Sequence, residues 1–328
     1  MPTLTLRVPK GFDLPRTVCS YGYFLLAPNF WDPRERTLSR PLHLHDGSPV
    51  NAVIRQKGSA DRGLRIDLDA TVRGAERSFV LGQVRRMLRL DEDVRPWQRT
   101  LKKVDPKLAK VAVGRMFRSP TLFEDLVKTV TSCNVNWPNT RTMNRQLCLN
   151  FGGGAFPLPE QLAAASEADL KELGRVGYRA GRIRELSRRV VDGELDLDAL
   201  DDPTRPTEEL FDAFKALPGL GPYAAGNLCH LVGRYDRLAI DTETRRHFCL
   251  HHGADRPAST DAAGNRALDE RITAHYAAAD PFAFKHFWAE MWADFEVRFG
   301  PAWSWDRATT GASFTASVLK ETNAVFEG

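Results

Sequence analysis

The chain has 328 residues, of which 42% are hydrophobic and 27% are charged, and this composition excludes a mainly disordered protein. The formal net charge of +4 permits a polyanionic partner without requiring one. The first residues show no secretory leader, and no run approaches the ~20 apolar residues of a membrane-spanning helix. We therefore expect a cytoplasmic protein that has no membrane partner.

The first hundred or so residues are predicted to be rich in β-strands. Segments Thr3–Val8 and Leu64–Leu68 alternate apolar and polar side chains, which is typical of strands with one buried face. No helix long enough for a parallel crossover lies between them, so antiparallel pairing is favoured. The predicted fold class is α+β, with an antiparallel β-rich N-terminal domain over residues 1–105.

The rest of the chain is predicted to be mostly helical, in two parts, over residues 106–328. Apolar residues begin to recur three and four apart near Val84, Met87 and Leu88, which indicates a helix starting there. The segment from Arg95–Pro96 to Pro106–Lys107 is interpreted as a connection before the second domain. Further helical faces are indicated by Leu122, Phe123, Leu126, Val127 and Val130, by Met143 and Leu147, by Leu170 and Leu173, and by Ile183, Leu186 and Val190.

An aromatic face recurs at helical spacing near the C-terminus. Simple amphipathic packing of a core explains this pattern, and a pocket for a flat ligand is the alternative. The side chains that would line such a pocket are Trp288, Trp292 and Phe295.

A short turn between two predicted helices, near residues 208–215 and 222–232, is the most informative segment. The turn contains Gly219 and Gly221, which can adopt backbone angles closed to other residues and which present no side chain. A phosphate could therefore approach the backbone amides at the start of the second helix. The alternative is an ordinary turn between helices that needs glycine for its geometry.

Asp241 follows an apolar segment and precedes a helix that carries Arg245, Arg246 and His247. A helix N-cap accounts for an aspartate at this position. The same carboxylate could also face a developing positive charge, so the two roles are compatible.

These segments resemble a known family. LPGLGPYAA followed by IDTETRRH is similar to the helix-hairpin-helix, the Gly/Pro-rich loop and the aspartate of the HhH-GPD superfamily of base-excision DNA glycosylases. Segments Phe117–Glu124, Thr131–Asn136 and Leu173–Ala180 resemble the 8-oxoguanine and 3-methyladenine glycosylase II branches. The resemblance covers most of the chain and is strongest from about residue 117 to 250.

The resemblance implies roles for residues of this chain. Asp241 would be the catalytic carboxylate, and Asn134, or else Asn136, would enter the gap that a flipped nucleotide leaves in the duplex. A DNA phosphate would bind at Gly219, Gly221 and the amide of Tyr223, and a structural Na+ or K+ would bind the main-chain carbonyls of Lys215, Leu217 and Leu220.

Arginines crowd the segment that contains Arg179, and at helical spacing some of them share a face that could follow phosphates. The alternative is a solvated charged helix, because Glu185 and Asp192 interrupt the run.

Two features depart from parts of the superfamily. Bifunctional members place a lysine where Tyr223 stands, and that amine attacks the sugar and then cuts the strand. Other members carry four cysteines after the aspartate for an iron–sulfur cluster, whereas only Cys249 follows Asp241 here. We expect no iron–sulfur cluster and no required cofactor.

The sequence thus predicts a monomeric, monofunctional DNA glycosylase of base excision repair that acts on double-stranded DNA, associated with the nucleoid if bacterial. Alkylated purines are the favoured substrates, because a cationic base leaves without a general acid. Oxidised purines, as for an 8-oxoguanine glycosylase, are the alternative substrate class. A lesion-binding protein that has lost catalysis is the alternative from another functional class.

Overall fold

The computed structural model describes residues 1–58, 63–112 and 114–310. The chain forms two compact units. The first unit comprises residues Met1–Glu92 and Arg115–Asp201 together with the C-terminal part from Phe299, and the second comprises Asp93–Gly114 and Asp202–Arg298.

One antiparallel sheet organises the N-terminal part of the first unit. Its strands are β1 (Thr3–Leu6), β2 (Phe30–Asp32), β3 (Thr37–His43), β4 (Pro49–Gln56) and β5 (Leu64–Leu68), in the order β1-β5-β4-β3-β2. Leu4 pairs with Ile66 and Leu38 pairs with Ile54, so these apolar side chains share one buried face. The two predicted strands and their antiparallel pairing are confirmed, although β1 ends at Leu6, two residues before the predicted end at Val8.

Helices make up most of the remaining described chain, as predicted for the helical region. In chain order they are α1 (Leu14–Val18), α2 (Gly74–Met87), α3 (Arg95–Val104), α4 (Leu122–Ser132), α5 (Trp137–Phe151), α6 (Pro159–Ala164), α7 (Glu167–Glu172), α8 (Ala180–Val191), α9 (Leu197–Leu200), α10 (Thr207–Lys215), α11 (Pro222–Leu231), α12 (Thr242–His252), α13 (Ala262–Tyr276) and α14 (Ala283–Phe299). Short 3-10 helices lie at Gly22–Leu25, Leu108–Lys110, Gly177–Arg179, Ala277–Ala279 and Ala302–Ser304.

The interpretation of residues 95–107 as a connection is wrong. Pro96 lies in the first turn of α3, where its missing N–H costs nothing, so the proline starts a helix instead of breaking one. Trp97 and Leu101 are four residues apart and both are buried. They pack with Leu108 and with Ala289 of α14, within the second unit.

The predicted start of a helix near Val84 is also wrong, because α2 already begins at Gly74. Its first turns carry mainly exposed side chains, and Phe79 among them is partly exposed, so the apolar periodicity becomes visible only in the second half.

The predicted domain boundary near residue 105 falls within residues 93–114, which belong to the second unit. That division of the chain stays a prediction, and residues 311–328 of the predicted second domain lie outside the described residues.

Within the described chain, no helix combines the length and the apolar character needed to cross a bilayer.

Candidate functional site

Helices α10 and α11 form the predicted hairpin, with bounds within one residue of the expected ones. Leu217 and Leu220 of the connecting loop are buried and anchor it to the core. Gly219 lies between these two leucines and Gly221 follows Leu220, and both glycines are exposed. The loop therefore presents backbone, and no bulky side chain, to the surface at its two glycines.

The two loop glycines serve different purposes. Gly219 has a φ of +79°, a left-handed conformation that favours glycine. Gly221 has a φ of −87°, which any residue adopts, so the expectation of a special backbone angle there is wrong. No heavy atom lies within 4 Å of the position that a Cβ at Gly221 would occupy, so this glycine leaves open space in front of α11.

The start of α11 is suited to binding an anion. Gly221 is its N-cap and supplies no side-chain cap, and Pro222 follows in the first turn. The first N–H groups of a helix have no partners within the helix, and the macrodipole adds positive potential there. Tyr223, in the same turn, is 39% exposed. This geometry is suited to a phosphate oxygen, and phosphate binding at Gly219, Gly221 and the Tyr223 amide stays a prediction.

The carbonyls expected to hold a monovalent cation lie at the end of α10 and in the loop. Lys215 is the last residue of α10, where helix carbonyls have no partner further along the helix. The Leu217 carbonyl accepts the Leu220 amide at 3.2 Å, and a carbonyl oxygen has a second lone pair for an ion. The donor chemistry at Lys215, Leu217 and Leu220 fits Na+ or K+, and binding itself stays a prediction.

The segment that leads to Asp241 is held against the hairpin by three contacts. A Cβ at Gly226 of α11 would lie 3.1 Å from the Cβ of Ala239, so glycine permits this close approach. His230 of α11 contacts the Arg237 carbonyl through Nε2 at 2.7 Å. Arg237 also forms an ion pair with Glu208 of α10 at 2.8 Å. These contacts hold residues 237–239, which precede Asp241, against α10 and α11.

Asp241 is the N-cap of α12, as predicted. Its Oδ1 accepts the Thr244 amide at 2.8 Å and the Thr244 hydroxyl at 2.9 Å. Desolvation raises the pKa of this carboxyl above its ordinary value, and the Thr244 hydrogen bonds oppose that rise. A poorly solvated carboxylate interacts more strongly with a nearby cation than a fully solvated one does.

Side chains after Asp241 brace α12 and line a cleft at its start. Arg245 binds Asp269 of α13 through two hydrogen bonds, at 2.6 and 2.8 Å. The cleft has a volume of about 500 Å³, and it is lined by Thr242, Arg245, Arg256, Pro257, Ser259, Ala262 and Asn265.

In the first unit, the two asparagines predicted to contact DNA flank the turn between α4 and α5. Asn134 is exposed and has a φ of +50°, a left-handed conformation. Asn136 is also exposed, but its Oδ1 accepts the Asn139 amide at 3.0 Å as the N-cap of α5. Asn134 is therefore the better candidate for insertion into a duplex.

Arg179 supports this turn from within the protein. Its side chain is buried, and its guanidinium donates to the carbonyls of Val130, Cys133 and Asn134. The expected direct contact of Arg179 with DNA is therefore corrected to a role in holding the turn. Arg188, on the exposed part of α8, pairs with Glu185 and Asp192, as the alternative of a solvated charged helix requires.

A cluster of arginines in the first unit was not predicted. Arg141 and Arg145 lie four residues apart on α5, and Arg307 lies beside them. Burial, followed by the positive charges of Arg141 and Arg145, lowers the pKa of Arg307. The spacing of the first two was visible in the sequence, but Arg307 is distant along the chain. The cleft that they share has a volume of about 590 Å³ and is lined by Ala27, Pro28, Asn29, Phe30, Pro138, Arg141, Thr142, Arg145 and Arg307.

The aromatic residues nominated for a base pocket pack against one another along α14. The rings of Trp288 and Trp292 stack 5.4 Å apart, and Trp292 contacts Phe295 edge-on at 6.4 Å. Trp292 and Phe295 are buried, while Trp288 is half-buried. These are contacts of a packed core, and a role in holding a base stays a prediction.

Comparison with known proteins places this hairpin and aspartate in a family. The model of the HhH-GPD superfamily base excision DNA repair proteins matches residues 127–271, which include α10, α11 and Asp241. This match spans 145 of the 328 residues, so the similarity to the HhH-GPD superfamily is established for this part of the chain. The predicted resemblance to this superfamily of base excision DNA repair proteins is confirmed over these residues. No curated protein matches the chain.

Two solved structures of glycosylases share the fold. A 3-methyladenine DNA glycosylase from Archaeoglobus fulgidus is 17% identical, with a TM-score of 0.63 over 90% of this chain and 99% of that chain. An 8-oxoguanine glycosylase/lyase from Clostridium acetobutylicum is 18% identical, with a TM-score of 0.64 over 88% of this chain and 96% of that chain. At these identities the likeness establishes the fold alone, and this chain shares that fold with enzymes of both names.

Proposed function

We propose that this chain is a member of the HhH-GPD superfamily and a monofunctional DNA glycosylase that removes an alkylated purine from duplex DNA and leaves an abasic site. The observation that carries the proposal is the pairing of Asp241 with the hairpin of α10 and α11. The hairpin offers an anion site made of backbone, and contacts at Gly226 and Arg237 hold against it the segment that leads to Asp241. These are the two parts that a base-releasing enzyme needs, a grip on the strand and a negative charge.

In the proposed reaction the damaged nucleotide first leaves the stack, at a cost of a few kcal/mol that is smallest for damaged bases. As the N-glycosidic bond breaks, its electron pair leaves with the base and the deoxyribose becomes oxocarbenium-like. The Asp241 carboxylate stabilises that positive charge. Water then adds to C1′, gives its proton to solvent and completes the hydrolysis.

Tyr223 supports hydrolysis without strand cleavage. A bifunctional enzyme forms a Schiff base between a lysine amine and the sugar, and β-elimination then cuts the strand. A phenol cannot form that imine. The exposed Tyr223 occupies the position where the resemblance places the lysine of bifunctional members.

The proposed alkylated substrate follows from the leaving group. An alkylated purine already carries a positive charge, so it departs without protonation by an acid on the enzyme. The neighbours include enzymes named for 3-methyladenine and for 8-oxoguanine, and their TM-scores are nearly equal. The fold therefore leaves the oxidised purine as the alternative substrate.

A panel of duplexes tests the proposal. Each duplex contains 3-methyladenine, hypoxanthine, 8-oxoguanine or uracil, and base release is scored as alkali-labile sites under single-turnover conditions. We expect release from the 3-methyladenine duplex. Release of 8-oxoguanine alone would select the alternative substrate, and release of uracil alone would contradict both.

Asp241→Asn is the matched variant for this panel, because asparagine also caps helices and α12 should stay folded. We expect base release to fall by about 10³-fold or more, while binding to the lesion duplex is retained. If the wild type binds these duplexes and releases no base, the protein is a lesion-binding module and not an enzyme.

A further inference from the structure

The second half of α12 carries a group of histidines that the proposed reaction does not use. His247, His251 and His252 face α14, and Glu290 and Asp294 of α14 face them in return. All five residues belong to the second unit. Imidazole nitrogens and carboxylate oxygens are the ligands that Zn²⁺ prefers beside thiolates.

We propose that this chain binds one Zn²⁺ ion through His247 Nδ1, His251 Nδ1 and Asp294 Oδ2. The two histidines are four residues apart, so they lie on one face of α12, one turn above the other. Their rings are nearly parallel, 21° apart, with centroids separated by 5.3 Å. One helix therefore supplies two ligands, and α14 supplies the third.

The separations between the ligand atoms suit a tetrahedral ion. Asp294 Oδ2 lies 3.4 Å from His247 Nδ1 and 3.3 Å from His251 Nδ1. With metal–ligand bonds of about 2.0–2.1 Å, two ligands at a tetrahedral angle are about 3.3–3.4 Å apart. All three ligand atoms lie within 4.8 Å of one another. A small shift of the exposed His251 would complete the geometry.

Glu290 fixes the orientation of the histidine that is buried. Its Oε1 lies 2.8 Å from His247 Nε2 and accepts the Tyr276 hydroxyl at 2.6 Å. When Nε2–H donates to this carboxylate, His247 Nδ1 bears a lone pair directed at Asp294. Two acceptors then face each other across 3.4 Å, an arrangement that needs either a metal ion or a second proton on the ring.

The site is accessible on one side. His247 is buried, whereas the side chains of His251 and Asp294 are 39% and 38% exposed. An ion can therefore enter from solvent, and water can occupy the fourth position of a site with three protein ligands.

A second set of ligand atoms competes with the proposed one. His251, His252 and Glu290 also lie close enough to hold an ion. In that set the Glu290 carboxylate would have to serve the metal while its Oε1 is already engaged by Tyr276 and His247. The proposed set leaves Glu290 in its supporting position, so we favour it.

The ion would join the C-terminal half of α12 to α14. Asp241 caps the other end of α12, so the metal stabilises the helix that carries the proposed catalytic carboxylate. Metal binding can be measured in the absence of DNA, and its failure would leave the proposed base release unaffected as a hypothesis.

The test uses full-length protein with no affinity tag, stripped of metal by a chelator and dialysed against a limited concentration of ZnCl₂. We expect one Zn²⁺ per chain by elemental analysis and a higher melting temperature with zinc than without. Replacement by Co²⁺ should give the intense visible absorption of a tetrahedral site. Absence of bound zinc would overturn the proposal.

Variants decide which atoms hold the ion. Asp294→Ala and His251→Ala, at partly exposed positions, should remove stoichiometric binding and the zinc-dependent rise in melting temperature. Glu290→Gln should weaken zinc binding by about 10- to 100-fold, as expected for a group that orients a ligand.

His252→Ala and His275→Ala are the matched controls, because both histidines neighbour the site without belonging to the proposed set. Both variants should keep one Zn²⁺ per chain. Loss of binding in His252→Ala with retention in Asp294→Ala would assign the ion to the competing set and contradict the proposal. Circular dichroism confirms that each variant is folded.

Discussion

The two loops nominated for contact with DNA are built in opposite ways. The hairpin loop between α10 and α11 exposes backbone at Gly219 and Gly221, and its leucines point inward. The turn between α4 and α5 exposes a side chain, Asn134, on a left-handed residue. The hairpin loop can bind a DNA phosphate through its amides whatever the base sequence, whereas the Asn134 side chain can fill the gap that a flipped nucleotide leaves in the duplex.

The difference extends to what supports each loop. Contacts of Gly226, His230 and Arg237 hold the segment that delivers Asp241 to the hairpin. The Asn134 turn depends on the buried guanidinium of Arg179, which donates to three main-chain carbonyls. The charged Asp241 near the hairpin is thus proposed to act on the reacting sugar, whereas the charged Arg179 beneath the turn holds the shape of its backbone.

The largest effect should come from pH, because it acts on Asp241 itself. Burial raises the pKa of this carboxyl above the ordinary 3.8, so it takes up a proton at a higher pH than a solvated aspartate does. Base release should therefore fall as pH is lowered through that raised value. A permanently cationic alkylated purine is the substrate to use, because its departure needs no proton.

The free energy of unfolding should depend on the protonation of Asp241 in the opposite direction: this contribution to stability should increase as the pH is lowered. An acid whose folded pKa is raised contributes stability while protonated, so this contribution is lost as pH rises through the folded pKa.

A base-release rate that increases on acidification, while circular dichroism shows the fold unchanged, would remove Asp241 from its proposed role.

Glycine substitutions should separate the two positions of the hairpin loop. Gly219→Ala forces alanine to a φ of +79° and should lower the free energy of unfolding by about 1–2 kcal/mol. Gly221→Ala has an ordinary φ and open space, and should cost less than about 1 kcal/mol. Urea denaturation measures both, and equal losses would refute the assignment of backbone strain to Gly219 alone.

Asn134→Gly should slow base release by about 10-fold, equivalent to about 1.4 kcal/mol, because the side chain no longer fills the gap in the duplex. Glycine accepts the left-handed backbone of this position, so the turn keeps its shape. Asn136→Ser keeps a capping side chain on α5 and is the control, for which we expect little change. A larger loss of base release in Asn136→Ser than in Asn134→Gly would assign the insertion to Asn136 and contradict the choice of Asn134.

The smallest effect is expected at the arginine cleft of the first unit. Arg145→Gln removes an exposed charge beside Arg307 and should weaken binding to all duplexes by a similar factor. The slope of log affinity against log salt concentration should fall by about 1. Arg188→Gln, whose partner charges are Glu185 and Asp192, should leave that slope unchanged.

Local pattern was enough to predict much of the fold and the centre of the site. Segment Leu64–Leu68 is a strand with the predicted bounds, because alternation along a half-buried strand depends only on neighbouring residues. The hairpin and the Asp241 cap were predicted for the same reason, since turn glycines and N-cap aspartates act within a few positions.

Features that depend on distant residues were missed or misread. Arg179 looked like a surface charge, but its three carbonyl partners lie more than forty residues earlier in the chain. Pro96 looked like part of a connection because the packing of Trp97 against Ala289 of α14 is not visible in local sequence. The pairing of His247 with Glu290 likewise joins residues 43 apart.

The state of the DNA strand after base release tests the central claim most directly. Wild-type protein is incubated with an end-labelled duplex that contains one 3-methyladenine, and the products are separated with and without alkali, with a parallel sample treated with borohydride. We predict an intact strand before alkali, a strand cut at the lesion after alkali, and no trapped protein–DNA adduct. A strand cut before alkali, or an adduct trapped by borohydride, would contradict a glycosylase that uses Asp241 with Tyr223 in place of lysine.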